Sequence, residues 1–269
     1  MITIIIAVVF AASGAAGAYY GLDWGAAGCT FAALGSFAVF QGVTGFFIQK
    51  RVKKDMEGVQ NILAAGQKRL QAKTQRWQLR PPSSIQAAQR EIFEDTKVFV
   101  KEALKEVDVL EKYRGWVPMI DRQMATAKLQ LNWMIKEFKL VDKLMPKALL
   151  IDPTMAAMKM ARMYTLGEPS DAIEKVYKKG VRRVRYNGNV LLAATWTWIL
   201  VERGEIDRAF KALTEALKKS DNEVLKQNHV NLMNNRVAHF SNSQLGDQWY
   251  SLYLEEPRYH APRQRSVYR

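Results

Sequence analysis

The chain has 269 residues and a formal net charge of +14, from 40 lysines and arginines against 26 aspartates and glutamates. Its single cysteine, Cys29, excludes an intramolecular disulfide framework and a cysteine-based zinc site. Eight prolines among these residues argue against a disordered proline-rich chain. Asp23 is the only charged side chain between Met1 and Gln49, so the rest of the chain is strongly basic and favours anionic neighbours.

Two uncharged apolar runs predict a transmembrane helical hairpin over residues 1–49. The first run, Ile2–Tyr20, would extend roughly 28 Å as a helix, close to the thickness of the hydrocarbon core of a bilayer. The second run, Gly25–Ile48, is longer still. The connection GLDWG places Asp23 at a polar turn between two spans, with tyrosine and tryptophan nearby, as is typical of a membrane interface.

Two alternatives to this hairpin stay open. Ala16–Ala18 resembles the small-residue cleavage site of a signal peptide, although no lysine or arginine precedes the first run. If the first run were cleaved, the second would still span the membrane in the same orientation. The other alternative is a buried hairpin of a soluble protein, and the lengths of the two runs argue against it.

The basic segment QKRVKK directly after the second run predicts the orientation. It contains Lys50, Arg51, Lys53 and Lys54, whereas the connection between the two runs carries no lysine or arginine. By the positive-inside rule, we expect two spans in a plasma or inner membrane, with both termini on the cytoplasmic side. The same four cations are predicted to contact anionic lipid headgroups.

Small residues recur at spacings of four and three along both apolar runs. They are Ala7, Ala11, Gly14, Ala18 and Gly21 in the first run, and Gly28, Ala32, Gly35, Ala38, Gly42 and Gly45 in the second. Helices in lipid associate through close backbone approach at small residues, because apolar side chains gain little by pairing there. We predict that the two stripes pack against each other within the hairpin. A homo-oligomer built on these stripes is the alternative.

Long helices are predicted for residues 50–145. The first continues out of the membrane segment from Phe46 to about Leu79, where the prolines of RPPSS end it. A second runs to about Tyr113, and a third runs from about Met119 to Leu144. The first of these helices fits either a coiled-coil-like stalk or an ordinary amphipathic helix covered by the rest of the chain.

Residues 146–257 contain an internal helical repeat. One unit has its turn at Gly167 and the next at Gly204, 37 positions later. Each glycine is preceded by a helical pattern and followed five residues later by an alanine, Ala172 or Ala209, which opens an amphipathic helix. The predicted unit is therefore a helix, a tight turn at glycine and a second helix.

This pattern resembles the tetratricopeptide repeat family over about Pro146–Arg236. The residues at the turn and helix-contact positions of that motif are Gly204, Ala209, Leu213, Ala216 and Leu217, and ALLIDP at 148–153 resembles the end of a preceding unit. The departures are Thr197 at an expected small position, Asp221 in place of a terminal proline, and Lys179 in place of an alanine. The resemblance implies stacked helical hairpins that bind protein partners.

A further helix pair is predicted at Glu223–Phe240 and Gln244–Leu254. The aromatic residues Trp249, Tyr250 and Tyr253 of this pair are expected to cap the open end of the array or to bind a partner. The basic residues 258–269 that follow are expected to form a flexible tail.

No recognisable catalytic or metal-binding constellation occurs in the sequence. The histidines His229, His239 and His260 show no metal-ligand spacing, and the chain has no P-loop, Rossmann glycine pattern or nucleophile elbow. We therefore expect a protein that is not an enzyme and that needs neither a cofactor nor a metal.

The basic run KKGVRRVR makes Arg182, Arg183 and Arg185 candidates for contact with an anion or a partner. Cations at the end of a helix also occur simply because they suit its dipole. Taken together, the sequence predicts an all-α integral membrane protein whose cytoplasmic repeat domain acts as a scaffold for protein partners. The alternatives are a self-assembling homo-oligomeric membrane protein and a membrane-tethered binder of nucleic acid or anionic lipid. No nucleic-acid-binding fold is recognisable, so nucleic acid is not the expected partner.

Overall fold

The computed structural model describes residues 2–150 and 152–257. Within these ranges the chain forms α-helices, short 3-10 helices and turns, with no strand, which confirms the all-α prediction. The chain divides at Leu149 into two compact units. The basic residues 258–269, predicted to be a flexible tail, lie outside the described residues.

The helices follow one another in chain order. The first unit contains α1 (Ile2–Leu22), α2 (Ala26–Leu79), α3 (Ile85–Asp108), a 3-10 helix (Val109–Tyr113), α4 (Ile120–Met134) and α5 (Phe138–Leu144). The second unit contains α6 (Pro153–Thr165), α7 (Ser170–Val181), α8 (Val190–Glu202), α9 (Ile206–Leu217), α10 (Glu223–Met233), two 3-10 turns (Val237–His239 and Ser243–Leu245) and α11 (Asp247–Tyr250).

Helices α1 and α2 are both long and apolar enough to span a membrane. The stretch Ile2–Gly21 has a mean hydropathy of 2.0, and the most apolar window of α2 reaches 1.7. Helix α2 continues without a break to Leu79, so the predicted domain boundary at residue 49 lies inside a single helix. The predicted hairpin and the predicted long helices therefore belong to one unit, because a continuous helix joins them.

Helix α1 packs along α2, and Ala7 and Ala18 of its small-residue stripe are buried. Gly14 marks a close approach between the helices. A Cβ atom at this position would lie 2.9 Å from the Cβ of Ser36, which is too short for a side chain to fit without a shift. One turn closer to the start of α1, the ring of Phe10 stacks on that of Phe40 in α2, with the ring centroids 4.6 Å apart.

The prediction for the facing stripe of α2 is wrong in part. Gly35 and Gly42 are exposed, and a Cβ atom on either would meet open space; the same holds for Gly21 at the end of α1. The half-buried positions of α2 instead advance in steps of four: Gly28, Ala32, Ser36, Phe40 and Thr44. A ridge of residues four apart is a natural packing surface of an α-helix, and the alternating four–three spacing drifts away from it.

Beyond the apolar stretch, α2 packs along α3, and the core of the first unit lies between them and α4. Its members include Val52, Met56, Val59, Leu63 and Leu70 of α2, Phe99, Val100, Ala103 and Val107 of α3, and Met124 and Leu131 of α4. This is the arrangement expected of an amphipathic helix covered by the rest of the chain. Gly66 lets the backbone of α2 come close to the ring of Phe99.

The predicted third helix, Met119–Leu144, is broken in the structure. Helix α4 ends at Met134, and Lys136 adopts a left-handed conformation with φ of 59°. The amide of Glu137 donates to the carbonyl of Asn132 over 2.9 Å, which closes a Schellman motif. A left-handed lysine ends this helix without the glycine or proline that usually marks such a site.

In the second unit, α6 and α7 form one helical hairpin and α8 and α9 form the next. Helix α8 is central, since it packs against α6, α7 and α9, and all of its residues from Leu191 to Leu200 are buried. The segment ALLIDP, which resembles the end of a repeat unit, does not end a helix in the structure, since α5 ends before it at Leu144. Asp152 accepts a hydrogen bond from the amide of Thr154 over 2.9 Å and Pro153 is the first helical residue, so this segment begins α6.

Both turn glycines end a helix in the left-handed conformation, with φ of 76° at Gly167 and 74° at Gly204. The amide that follows each glycine closes a Schellman motif. Glu168 donates to the carbonyl of Met163 over 3.0 Å, and Glu205 donates to that of Leu200 over 2.8 Å. Each glycine therefore reverses the chain direction between two packed helices.

Replacing Gly204 with alanine is expected to destabilise the second unit by about 1 kcal/mol, because an L side chain crowds the backbone at positive φ. Asparagine tolerates this conformation better, so Gly204→Asn is expected to lose less stability than Gly204→Ala. Urea unfolding of the full chain in detergent, monitored by circular dichroism, measures the stability of both variants. Equal losses for the two variants would show that conformation at this turn does not limit stability.

The predicted helix pair after residue 222 is shorter and less regular in the structure. Helix α10 ends at Met233, followed by Asn235 in a left-handed conformation, and 3-10 turns replace most of the predicted helices. Buried asparagines hold these turns. The Asn228 side-chain amide donates to Asn242 over 2.9 Å, and the Asn242 amide donates to the carbonyl of Ala194 in α8 over 3.0 Å.

Aromatic residues near residue 250 close this end of the helical array. Trp249 is completely buried, and its ring lies 5.8 Å from that of Trp198 in α8. Both indole N–H groups donate to the carboxylate of Glu255, each over 2.7 Å. Trp249 therefore has a capping position and is not presented to a partner.

Candidate functional site

The candidate site lies in the second unit, where α7 and α9 both pack on α8. A cavity of about 400 Å³ lies between these helices, and we call it the α7–α9 groove. Its lining includes Glu174, Tyr177, Arg182, Trp196, Arg208, Lys211, Glu215 and Lys219.

The register of α7 and α9 decides which side chains reach the groove. After the first residue of α7, the buried positions are Ile173, Tyr177 and Gly180; in α9 they are Ala209, Leu213 and Ala216. These sets correspond at a spacing of 36 residues, although the turn glycines are 37 apart. The turn after Gly167 contains one residue more than the turn after Gly204, and this extra residue shifts the helix that follows.

This shift corrects two of the sequence predictions. Ala172 is half-buried and is not the counterpart of the buried Ala209; Ile173 takes that place. Likewise, Gly180 and not Lys179 corresponds to Ala216. A Cβ atom at Gly180 would lie 3.1 Å from the side chain of Leu192, so a small residue is present where helices approach closely.

The floor of the groove is aromatic. The rings of Tyr177 and Trp196 stack with an interplanar angle of 25° and their centroids 6.0 Å apart. Burial raises the pKa of Tyr177 to about 12, so the phenol stays neutral at physiological pH. Within the described chain the hydroxyl has no hydrogen-bond partner, and it is therefore available to a ligand as a donor.

One end of the groove is held together by Arg208. Its guanidinium lies 2.6 Å from the carboxylate of Glu205 and bridges to α7 through Asp171 at 3.1 Å and Glu174 at 3.3 Å. It also lies 5.8 Å from the centre of the Trp196 ring. Because its charge is shared among three carboxylates, Arg208 ties α7 to α9 and offers little charge to a ligand.

The groove as a whole has an excess of positive charge. Five cations and two carboxylates line it. Both carboxylates are paired: Glu174 with Lys178 and Arg208, and Glu215 with Lys218. Among the described residues, Arg182, Lys211 and Lys219 have no carboxylate oxygen within 4.0 Å, the limit for a salt bridge. These three cations, above an aromatic floor, are the unsatisfied part of the groove.

The three arginines predicted to contact an anion have different positions. Arg182 lines the groove. Arg183 instead donates to the carbonyl of Leu150 over 2.7 Å, and Arg185 is exposed outside the groove. Sequence reasoning missed the contribution of α9, although Lys211, Glu215 and Lys219 follow one another at spacings of four and therefore share a helix face.

The four cations predicted to contact lipid are all exposed on α2, just past its apolar part. They are Lys50, Arg51, Lys53 and Lys54. Over the described ranges, no cluster of three histidine, cysteine or acidic side chains could hold a metal ion.

Compared with protein-family models, with curated proteins and with solved structures, the chain shows no match. No relative therefore assigns a role to the residues of the α7–α9 groove. Their chemistry has to be judged from the side chains and their surroundings.

Proposed function

We propose that this chain is an integral membrane protein that recruits an acidic segment of another protein through the α7–α9 groove. The observation that carries the proposal is the set of three unpaired cations above the Tyr177–Trp196 stack. In this role the protein is a scaffold or adaptor, with no catalytic step of its own.

The anchoring part of the proposal is supported by the apolar surface of α1 and α2. Ile5 is 65% exposed, Phe31 73% and Phe47 60%, and many similar residues surround them. Soluble monomers rarely expose continuous apolar patches of this extent. With the basic segment at Lys50–Lys54 on the cytoplasmic side, the second unit would lie in the cytoplasm next to a plasma or inner membrane.

The binding part is supported by the chemistry of the groove. A carboxylate can receive two parallel hydrogen bonds from a guanidinium, and Arg182 lines one wall of the groove. Lys211 and Lys219 supply further charge from the other wall. The aromatic floor suits an apolar side chain between acidic residues. We infer a ligand that alternates carboxylates with at least one apolar group.

Two further observations favour a protein segment from another chain. The sequence of the second unit resembles tetratricopeptide repeats, and helical repeats of this kind usually bind proteins. The chain's own residues 258–269 carry four arginines and no acidic residue, so they do not complement a basic groove.

The proposal is tested by selecting peptides on the full chain held in nanodiscs. Random peptides displayed on phage are expected to become enriched in aspartate and glutamate around an apolar residue. The matched comparison uses two variants with equal loss of charge. One carries Arg182→Gln, Lys211→Gln and Lys219→Gln in the groove; the other carries Lys175→Gln, Lys179→Gln and Arg185→Gln, all exposed outside it.

Acidic enrichment that disappears only in the groove variant supports the proposal. Equal enrichment on both variants contradicts it, because the attraction would then come from the overall charge of the unit. Preferential retention of single-stranded RNA by the groove would support the nucleic-acid alternative instead.

A further inference from the structure

A second cavity lies in the first unit, where the apolar part of α2 meets its basic segment. It has a volume of about 830 Å³, and we call it the junction cavity. Its lining includes Val43, Phe47, Arg51, Lys54, Lys112 and Trp116. Lys112 belongs to the 3-10 helix after α3, so the cavity combines segments that are far apart in the sequence.

The polar half of the junction cavity carries an excess of positive charge. Lys112 forms a salt bridge of 2.8 Å with Asp55, which is the one carboxylate in its lining. In the part of the chain that the structure describes, Arg51 and Lys54 have no salt-bridge partner. They are three positions apart on α2 and therefore lie on the same helix face. Two cations of this cavity are thus available to an anion.

Asp55 belongs to the wall of the cavity, and Lys112 compensates its charge there. The same carboxylate oxygen accepts a hydrogen bond from the hydroxyl of Tyr113 over 2.9 Å and pairs with the ammonium of Lys112. The hydrogen bond from Lys112 holds the pKa of Asp55 below its ordinary value, so the group remains ionised at neutral pH. These contacts fix the 3-10 helix against α2 and hold Lys112 near Arg51 and Lys54.

The other half of the cavity is apolar and exposed. Val43 and Phe47 are 53% and 60% exposed, and they belong to the apolar part of α2. Trp116 lies in the connection that meets the start of α1, where the amide of Ile2 donates to the carbonyl of Gly115 over 2.9 Å. Tryptophan is enriched at the level of lipid headgroups, with its ring partly in the apolar layer.

We propose that the junction cavity binds one anionic phospholipid, with its phosphate at Arg51 and Lys54 and the upper part of an acyl chain against Val43 and Phe47. A lipid fits better than a free phosphate ion, because a free ion would leave the apolar wall uncovered. This inference depends on the membrane anchoring proposed above and is independent of the α7–α9 groove. It also gives the four basic residues after the apolar stretch two different roles. Arg51 and Lys54 line the cavity and hold the lipid, whereas Lys50 and Lys53 lie outside it and face the membrane surface.

The test uses the full chain in nanodiscs that contain phosphatidylcholine and phosphatidylglycerol in equal amounts. Native mass spectrometry then measures the lipid that the released protein retains. We expect wild type to retain phosphatidylglycerol preferentially. The Arg51→Gln, Lys54→Gln variant is expected to lose about 10-fold or more of this preference, because a hydrogen bond from a cation directly to the phosphate contributes roughly tenfold. The Lys50→Gln, Lys53→Gln variant removes the same charge outside the cavity, where no direct contact with the bound lipid is lost, and its preference is expected to fall by less than about threefold.

Three results would overturn the inference. Equal losses for the two variants would mean diffuse attraction to the surface, and no preference in wild type would mean no site. Displacement of the retained lipid by inorganic phosphate would mean that the phosphate alone is recognised. A chain that stays soluble without detergent or lipid would contradict the anchoring itself and the lipid site with it, whereas the three results above leave anchoring intact.

Discussion

An acidic peptide selected on the wild-type chain is expected to bind at least about 100-fold more weakly once Arg182, Lys211 and Lys219 are changed to glutamate. Hydrogen bonds to charged groups contribute about 1.5–3 kcal/mol each, and the reversal replaces three of them with repulsion. Because these side chains have no salt-bridge partner in the described residues, the reversal breaks no ion pair there. Fluorescence anisotropy of the labelled peptide measures the loss.

The matched control reverses Lys175, Lys179 and Arg185, which are exposed on the same unit but do not line the groove. Its affinity for the peptide is expected to fall by less than about fivefold at physiological salt, where charges more than roughly 8 Å from the peptide are largely screened. If both reversals weaken binding equally, the peptide does not bind in the groove.

The second large effect is expected at Gly66, where α2 passes close to α3. A Cβ atom at this position would lie 2.5 Å from Cδ1 of Phe99, whose ring is buried in the core. Overpacking of this kind costs about 1–3 kcal/mol, which outweighs the gain of up to about 1 kcal/mol from replacing a helical glycine with alanine. Gly66→Ala is therefore expected to destabilise the first unit.

Gly58 on the same helix provides the matched control with the opposite sign. The atoms nearest its Cβ would belong to the side chain of Glu106, with a carboxylate oxygen at 3.2 Å, and this flexible side chain can move aside. Gly58→Ala is therefore expected to stabilise the helix by about 0.5–1 kcal/mol. Hydrogen exchange of the full chain in detergent measures the change in stability of α2 in both variants. Adding Phe99→Leu to Gly66→Ala is expected to recover part of the loss, and equal effects of the two alanines would contradict the close approach.

The sequence predicts the helices well where apolar periodicity is strong, and poorly where helices end. Lys136, Gly167, Gly204 and Asn235 all adopt the left-handed conformation after a helix. Only the two glycines are visible as turns in the sequence, so the repeat was recognised around them. The lysine and the asparagine carry no such signal, and the predicted helices that run across them are too long.

The groove was harder to predict than the helices around it. Arg182 and Lys211 come from different helices and look like ordinary surface charges in the sequence. Their proximity depends on the register of α7, which Pro169 shifts by one residue relative to α9. The residue types along one helix do not reveal its register relative to another helix. In the same way, the pairing of Gly14 with Ser36 depends on how two helices cross, and neither residue alone indicates it.

The most direct measurement of the central claim is photo-crosslinking from the groove in native membranes. A photoreactive amino acid in place of Lys211 is expected to crosslink to an acidic segment of another protein, identified by mass spectrometry. The crosslink is expected to disappear when Arg182 and Lys219 are reversed, and the same amino acid at the exposed Gln244, outside the groove, is not expected to form it. Crosslinks from Lys211 only to lipid or to a second copy of this chain would contradict recruitment of an acidic partner, as would identical crosslinks from both positions.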